Sequence, residues 1–384
     1  MQSVMSKSDA ITWVTGRLGK VCYEDGGASG TQCVELVSTY AGVLMNTDVK
    51  PSQCGNGNKC ATNLPKNFPW AFKSITNLKD VQTGDILSWW STSSIQQGVN
   101  LYGHTGVVRT VDGKGNYTTI EQSSGVKYIY TRTLPIIKAA KTSGAIIGIA
   151  RPIYNAIYIS NQEIQQRLND LGYTPKLVVD GVIGPKSTAA IKWFQAAKKL
   201  SATGSLTDSL KQTIMSTASL DPAKDIWTFL KAKGLNSYAI AGLMGNLYAE
   251  SALNPINLQN SYETKLGVTD LLYTYLVDSG KYTNFVKDSA GYGLAQWTYY
   301  TRKQALLDYA KSKKTSIGNL TTQLEFLWTE LQSYSTVIKT LKTATSVRQA
   351  SDVVLLQFER PADTSSSVQV RRAAYGQGYY EKYS

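Results

Sequence analysis

HTGVVRTVDGKGNYTTIEQ, residues 104–122, decides the fold of the first third of the chain. Two β-like runs, HTGVVRTV and NYTTIEQ, flank Asp112-Gly113, a dipeptide that favours a two-residue type I′ hairpin turn. Centring the turn on that dipeptide sets His104 directly opposite Glu121. Cross-strand partners lie side by side on one face of a sheet, so the reading places an imidazole next to a carboxylate. A slip of one residue would send the two side chains to opposite faces, and the following Lys-Gly-Asn leaves room for a longer loop.

Working outward, DILSWW, VKYIYTRTL and AIIGIA supply further short β-like runs. Before them, Val34–Leu44 carries Val37, Tyr40, Ala41 and Leu44 at helical spacing. The first third therefore reads as α+β, one helix packed on an antiparallel sheet. His104 is the only histidine in 384 residues, so chemistry that needs an imidazole has one source. Cys33 lies where a Gly-containing loop runs into that helix. A helix N-terminus favours thiolate, the nucleophilic form of cysteine. Cys33, His104 and Glu121 thus have the residue types of a nucleophile, a base and an orienting acid.

Composition limits the alternatives. Apolar residues make up 42% and charged residues 17%, an ordinary globular balance. The first residues lack a basic-then-apolar export signal, and no apolar run is long enough to span a membrane. The four cysteines are too few to staple a chain of this length; Cys54 and Cys60, which bracket GNGNK, are close enough in sequence to close a small bridge. A zinc site is disfavoured, because no paired cysteine motif accompanies the lone histidine. The net charge of +13 suits an anionic partner. It is spread as +6 over residues 1–152, +3 over 153–220 and +4 over 221–384, whereas a nucleic-acid reader usually concentrates charge on one element. No nucleic-acid motif is present. A diffuse positive field suits an anionic bacterial wall.

Gly30, Gln32-Cys33-Val34, Gly103-His104-Thr105-Gly106 and Ile120-Glu121-Gln122 resemble the CHAP family of cysteine amidohydrolases/peptidases over about residues 10–152. The resemblance implies a papain-like α+β fold with Cys33 as nucleophile, His104 as base and Glu121 as orienting acid, and with Gln32 in the oxyanion hole. The family often has Asn two residues after the acid; here it is Ser123. Some members bind calcium through acids before the cysteine and one just after it. Glu24 and Glu35 fit that pattern, whereas Gly26 replaces the second upstream acid; no other cofactor is implied.

From Asn161 the pattern turns helical. Leu168, Leu171-Gly172-Tyr173, Val179-Asp180-Gly181, Ile183-Gly184-Pro185 and Phe194-Gln195 resemble the small three-helix peptidoglycan-binding domain. Ile164, Leu168, Ile191 and Phe194 provide its core, and no nucleophile–base set is visible, so binding is expected there. Asp221-Pro222 then marks a helix start. Ile240, Leu243, Met244 and Leu247 form an apolar stripe with Glu250 at its end. A carboxylate emerging from an apolar face suits the general acid of glycoside cleavage.

Gly245-Asn246, Ala249-Glu250-Ser251, Asn254-Pro255, Gly291-Tyr292-Gly293-Leu294-Ala295-Gln296-Trp297 and Phe358-Glu359-Arg360-Pro361 resemble the phage tail-type lysozyme domain over about 222–384. The resemblance implies a mainly helical, lysozyme-like fold with Glu250 as the acid. Asp288 resembles the second acid of goose-type lysozymes, and Tyr292, Gln296 and Trp297 are expected to grip the sugar. Glu263, Asp270 and Asp278 are further acids in the stretch. If none serves, intramolecular lytic transglycosylation, which needs no separately activated water, becomes the route.

The expected architecture is a multidomain α+β chain with a CHAP domain at 1–153, a binding domain at 157–218 and a lysozyme-like domain at 222–384. The expected function is bifunctional peptidoglycan hydrolysis at the bacterial cell wall. The enzyme would be made in the host cytoplasm and either released by phage lysis machinery or carried on the virion with phage tail proteins as partners. The alternative is a structural phage tail or wall-binding protein with inactive sites.

Overall fold

Ser6 accepts a hydrogen bond from the Asp9 amide (3.3 Å) and starts the first helix, α1 (Lys7–Thr15), after a short strand β1 (Gln2–Ser3). The computed structural model describes residues 1–22, 32–90, 102–123, 126–135 and 145–384. These divide into two compact units, Met1–Tyr158 and Ile159–Ser384.

In the first unit, α2 (Cys33–Met45) begins at the cysteine itself. Short helices α3 (Pro51–Cys54) and α4 (Cys60–Asn67) follow it. The main sheet comprises β2 (Phe72–Ile75), β3 (Ile86–Trp89), β4 (His104–Val111), β5 (Asn116–Ser123), β6 (Val126–Pro135) and β7 (Ile146–Pro152). Its order is β2-β7-β3-β4-β5-β6, with every neighbouring pair antiparallel. A last short strand, β8 (Ile157–Tyr158), pairs with β1. Leu36, Val37, Tyr40, Ala41 and Leu44 of α2 pack with Ile86, Val107 and Ile120 of the sheet in one core. Burial of such side chains contributes roughly 1.5–3 kcal/mol each, which fixes the helix, and hence Cys33, against β4 and β5.

In the second unit, a capping box of Ser160 and Glu163 starts α5 (Asn161–Asp170). It packs with α6 (Pro185–Ala197) and α7 (Asp208–Ser216) around Ile164, Leu168, Ile191, Phe194 and Ile214, all fully buried. Asp221 caps α8 (Pro222–Ala232), with Pro222 inside its first turn. Next comes α9 (Ser237–Ser251), capped by Asn236. The sequence shows one apolar stripe on α9, but residues Ala239–Leu247 are buried all round. It is the central helix of this body, surrounded by later elements.

Those elements are α10 (Asn260–Leu266), α11 (Asp270–Asp278), α12 (Tyr300–Lys313), α13 (Leu320–Leu331), α14 (Ser335–Lys342), α15 (Val347–Val354), a π-helical turn (Leu355–Glu359) and α16 (Ser366–Tyr383). Small residues let α16 cross α9 closely. A Cβ on Gly245 would collide with the Arg372 carbonyl and stand 2.7 Å from the Gly376 amide. Gly245→Ala is therefore expected to overpack the crossing and destabilise the second unit by about 1–3 kcal/mol, read as a lower denaturation midpoint. An unchanged midpoint would show that the helices can separate at no cost.

Candidate functional site

Two polar constellations stand out, one in each unit. In the first, Cys33 is half-buried at the N-terminal turn of α2. The Gln32 amide donates to Glu35 Oε2 (2.7 Å), closing the turn. Gln122, beside Glu121 on β5, ties that turn to the sheet. Its amide donates to the carbonyls of Cys22 (2.8 Å) and Gln32 (3.1 Å) and to Glu35 Oε2 (3.2 Å), and its Oε1 accepts from the Cys22 amide (2.8 Å).

His104 opens β4 and hydrogen-bonds both Cys33 and Glu121. Its Nε2 lies 3.0 Å from Glu121 Oε2. Trp89 packs edge-on against the imidazole at 5.1 Å between ring centres. The trio meets through a register other than the one expected. Val107 faces Ile120, two residues along from the predicted pairing, and a bulge follows between Val108 and Thr110. The two-residue type I′ turn is replaced by a wider loop in which the Asp112 amide donates to the Asn116 carbonyl (3.1 Å). The Asp112 carboxylate accepts from the Lys114 and Asn116 amides (2.7 and 3.0 Å).

A shift of two keeps every side chain on its face. Continued along the ladder, it sets Glu121 opposite Gly106 rather than His104. A Cβ at Gly106 would stand only 3.0 Å from Glu121 Cγ, so the glycine leaves the carboxyl room to lean along the strand to His104.

Glu121 is fully buried. It accepts from Tyr130 (3.2 Å), Arg132 Nε (3.2 Å), Arg132 Nη2 (2.9 Å) and, at short range, the Thr119 hydroxyl. Burial alone would raise its pKa, but His104 and then Arg132 and Thr119 hold it below the ordinary carboxylate range. Burial likewise opposes charge on His104. The hydrogen bonds and charges of Cys33 and Glu121 outweigh it and raise the imidazole to about 9. Tyr130, Arg132 and Thr119 carry no motif of their own; only the pairing of Glu121 with Tyr130 and of Thr119 with Arg132 brings them to the carboxylate.

One further expectation in this unit is corrected. Cys54 and Cys60 are free thiols, not a bridge; both are buried, and burial followed by contact with Cys54 pushes the Cys60 thiol well up. Of the expected calcium ligands, Glu24 lies outside the described residues. Glu35 Oε2 is engaged by the Gln32 and Gln122 amides, and no group of three metal-ligating side chains occurs among the described residues.

In the second unit, Glu250 stands at the end of α9 with its side chain about one-fifth exposed. It is not an acid alone on an apolar face: Oε1 pairs with Arg372 Nη1 at 2.5 Å. Asp288, the expected second acid, is held differently. It is buried and accepts from Lys303 Nζ (2.5 Å), Tyr273 (2.5 Å), Tyr282 (3.1 Å) and the Ala290 amide (2.9 Å).

Tyr292 and Trp297 are fully buried as well. The Tyr292 hydroxyl meets Thr274 at 2.7 Å, and Trp297 donates to Glu330 at 3.0 Å. Gln296, half-buried, donates to the Asn257 side chain (2.9 Å) and to the carbonyls of Asn257 (3.1 Å) and Gly293 (3.2 Å). The GYGLAQW stretch is thus a buried structural turn rather than an open sugar platform. Of the remaining acids, Asp270 is pushed up to about 6, first by burial and also by its neighbour Glu263, against a hydrogen bond from the Leu258 amide. Burial likewise raises Asp278, which accepts from the Ile317 amide (2.9 Å).

Comparison with known proteins matches three successive segments of the chain. Residues 22–123 match the model of the CHAP domain, 161–214 that of the putative peptidoglycan binding domain and 221–383 that of phage tail lysozyme. None of the three alone spans half the chain; in sequence they give it the make-up of a modular phage peptidoglycan hydrolase. Among solved structures, a wild type endolysin, LysIME-EF1, aligns at 24% identity with a TM-score of 0.30. The alignment covers 39% of this chain and 65% of that one, just under two thirds of its length.

The geometry separates a fully satisfied carboxylate from a partly exposed one in the second unit. Asp288→Ala would strand the fully buried Lys303 ammonium and is expected to destabilise the unit by about 3–5 kcal/mol. Glu250→Gln, at a partly exposed carboxyl, should shift the melting temperature far less. Equal shifts in a thermal melt would refute this division.

Proposed function

We propose that the chain is a bifunctional hydrolase of bacterial peptidoglycan, cutting an amide in its peptide part and a bond in its glycan. The observation that carries the reading is the sole histidine lying between Cys33 and a buried carboxylate. A cationic imidazole beside sulfur favours thiolate attack on a carbonyl carbon. His104 then gives its proton to the departing amine, and water hydrolyses the resulting thioester. Glu121 keeps the ring oriented, and its donors keep it ionised. Gln32 supplies its side-chain amide to the oxyanion, since its backbone N–H is committed to Glu35.

In the second unit, Glu250 in its protonated form gives its proton to the glycosidic oxygen as the sugar bond breaks, and water takes the anomeric carbon. Its partner Arg372 fixes the orientation of the carboxyl. The buried state of Asp288 favours a second reading of this step, in which the sugar's own hydroxyl attacks and an anhydro end results. The three-helix segment holds the wall, the diffuse positive charge assists it, and the protein acts at the wall from outside or from a virion. Among the described residues no helix is long and apolar enough to cross a membrane.

Mass spectrometry of products from purified peptidoglycan tests the reading. Cys33→Ala should abolish new amine termini and leave new glycan ends, and Glu250→Gln should do the reverse. Reducing ends indicate hydrolysis, and anhydro ends indicate the intramolecular route. Failure of the wild type to release either product would place the chain among structural wall-binding proteins.

A further inference from the structure

Glu263 and Asp270, acids that the glycan-cleaving step leaves unused, line a cleft of about 520 Å³ in the second unit. A cleft of that size with a few convergent polar groups is the usual form of a ligand site. One side of it is the polar face of α7. Ser209, Thr213 and Ser216 recur there at helical spacing, while Leu210 and Ile214 turn to the core. The other side is the turn Ala252–Ile256, with Glu263 of α10 and the start of α11. That turn follows Glu250 almost directly in the chain. Ala252 and Leu253 both hold left-handed backbone (φ 52° and 63°), a strained state for such side chains that clusters at ligand clamps.

Asp270 ties the turn to α11. Its Oδ1 accepts from the Leu258 amide (2.8 Å) and its Oδ2 from the Asn254 side chain (3.3 Å). Among the described residues no cation pairs with Asp270 or Glu263. The one basic side chain among the lining residues, Lys198, stands at the end of α6. A divalent metal is disfavoured, since it wants six or more oxygens and no group of three metal-ligating side chains occurs among the described residues. None of the lining residues is aromatic, so a sugar ring finds no stacking face, whereas Leu253, Pro255 and Leu271 offer apolar surface to a peptide.

We propose that this cleft binds the peptide part of peptidoglycan, with Asp270 and Glu263 taking a primary ammonium of the peptide and Lys198 its carboxylate. This rests on the reading of peptidoglycan as the substrate. A glycan held at Glu250 carries peptide branches, and the turn that leaves α9 lines the cleft that receives one. The ammonium is held only while Asp270 is ionised, and burial together with Glu263 has pushed Asp270 up to about 6. The other groups facing it are Lys198 and Tyr292, whose hydroxyl is kept protonated by burial.

The test uses the full chain carrying Cys33→Ala and Glu250→Gln, so that nothing is cut. The probe is a synthetic stem pentapeptide with a blocked N-terminus, a free lysine side chain and a free C-terminal carboxylate, titrated by calorimetry. It should bind near pH 7.5. Acetylating its lysine, or introducing Asp270→Asn or Glu263→Gln, should weaken binding by about fivefold or more. Binding near pH 5, one unit below the Asp270 midpoint, should be about tenfold weaker than near pH 7.5. Asp270→Asn keeps an acceptor for the Leu258 amide; should it still fail to fold, Glu263→Gln, away from that bond, tests the same point.

No binding of the peptide, or equal binding of its acetylated form, would overturn the proposal. So would displacement of the peptide by an oligomer of N-acetylglucosamine whose own binding ignores Asp270→Asn, because the cleft would then be a sugar site. If the peptide does not bind while the wild type still cuts peptidoglycan, the cleft assignment alone fails. If the peptide binds and the wild type cuts nothing, the cleft stands and the hydrolase reading fails.

Discussion

A carboxylate taken out of water is costly unless donors meet its oxygens, and both constellations are arranged around that constraint. Glu121 satisfies it most fully, with His104, Arg132, Tyr130 and Thr119 converging on one buried group. Those donors come from β4, β5 and β6, so the carboxylate can sit there only when the three strands pair in register. The same contacts aim the imidazole at Cys33, which the core beneath α2 holds in place. Structural order and chemical readiness in the first unit are therefore one condition.

The second unit meets the constraint in a graded way. Asp288 is satisfied by a buried lysine and two tyrosines and anchors the turn that follows it. Glu330 takes all of the bidentate grip of Arg302 and the indole N–H of Trp297. Glu250 keeps one strong partner and is partly exposed, and Glu359 Oε1 has no hydrogen-bond partner among the described residues. Groups that are fully satisfied are poor candidates for proton traffic; Glu250, less completely satisfied, lies where α9 meets α16.

Much of this was legible in the sequence, for identifiable reasons. A single histidine makes its partners a short search, and the two-residue period of strands forgave a register error of two. An error of one would have separated His104 from Glu121. The helices of the second unit and the helix start at Asp221-Pro222 followed from periodicity and capping. GYGLAQW misled because glycines and aromatics look alike in a ligand-gripping loop and in a buried turn; only the surrounding helices show that Tyr292 and Trp297 face inward. Arg372 lies 122 residues from Glu250, beyond any spacing rule, and its approach depends on the bare backbones of Gly245 and Gly376. Arg132 and Tyr130 were hidden for a similar reason, since the β5–β6 register carries no turn signature.

The claim on which the first unit depends is that buried Glu121, together with Cys33, holds His104 in its charged form. Because the chain has one histidine, a nuclear magnetic resonance titration of the imidazole gives one assignable signal. The account predicts a midpoint near 9, with the ring still protonated at neutral pH. A midpoint at the ordinary histidine value of about 6.5 would contradict it, because the carboxylate and sulfur would then not be acting on the ring.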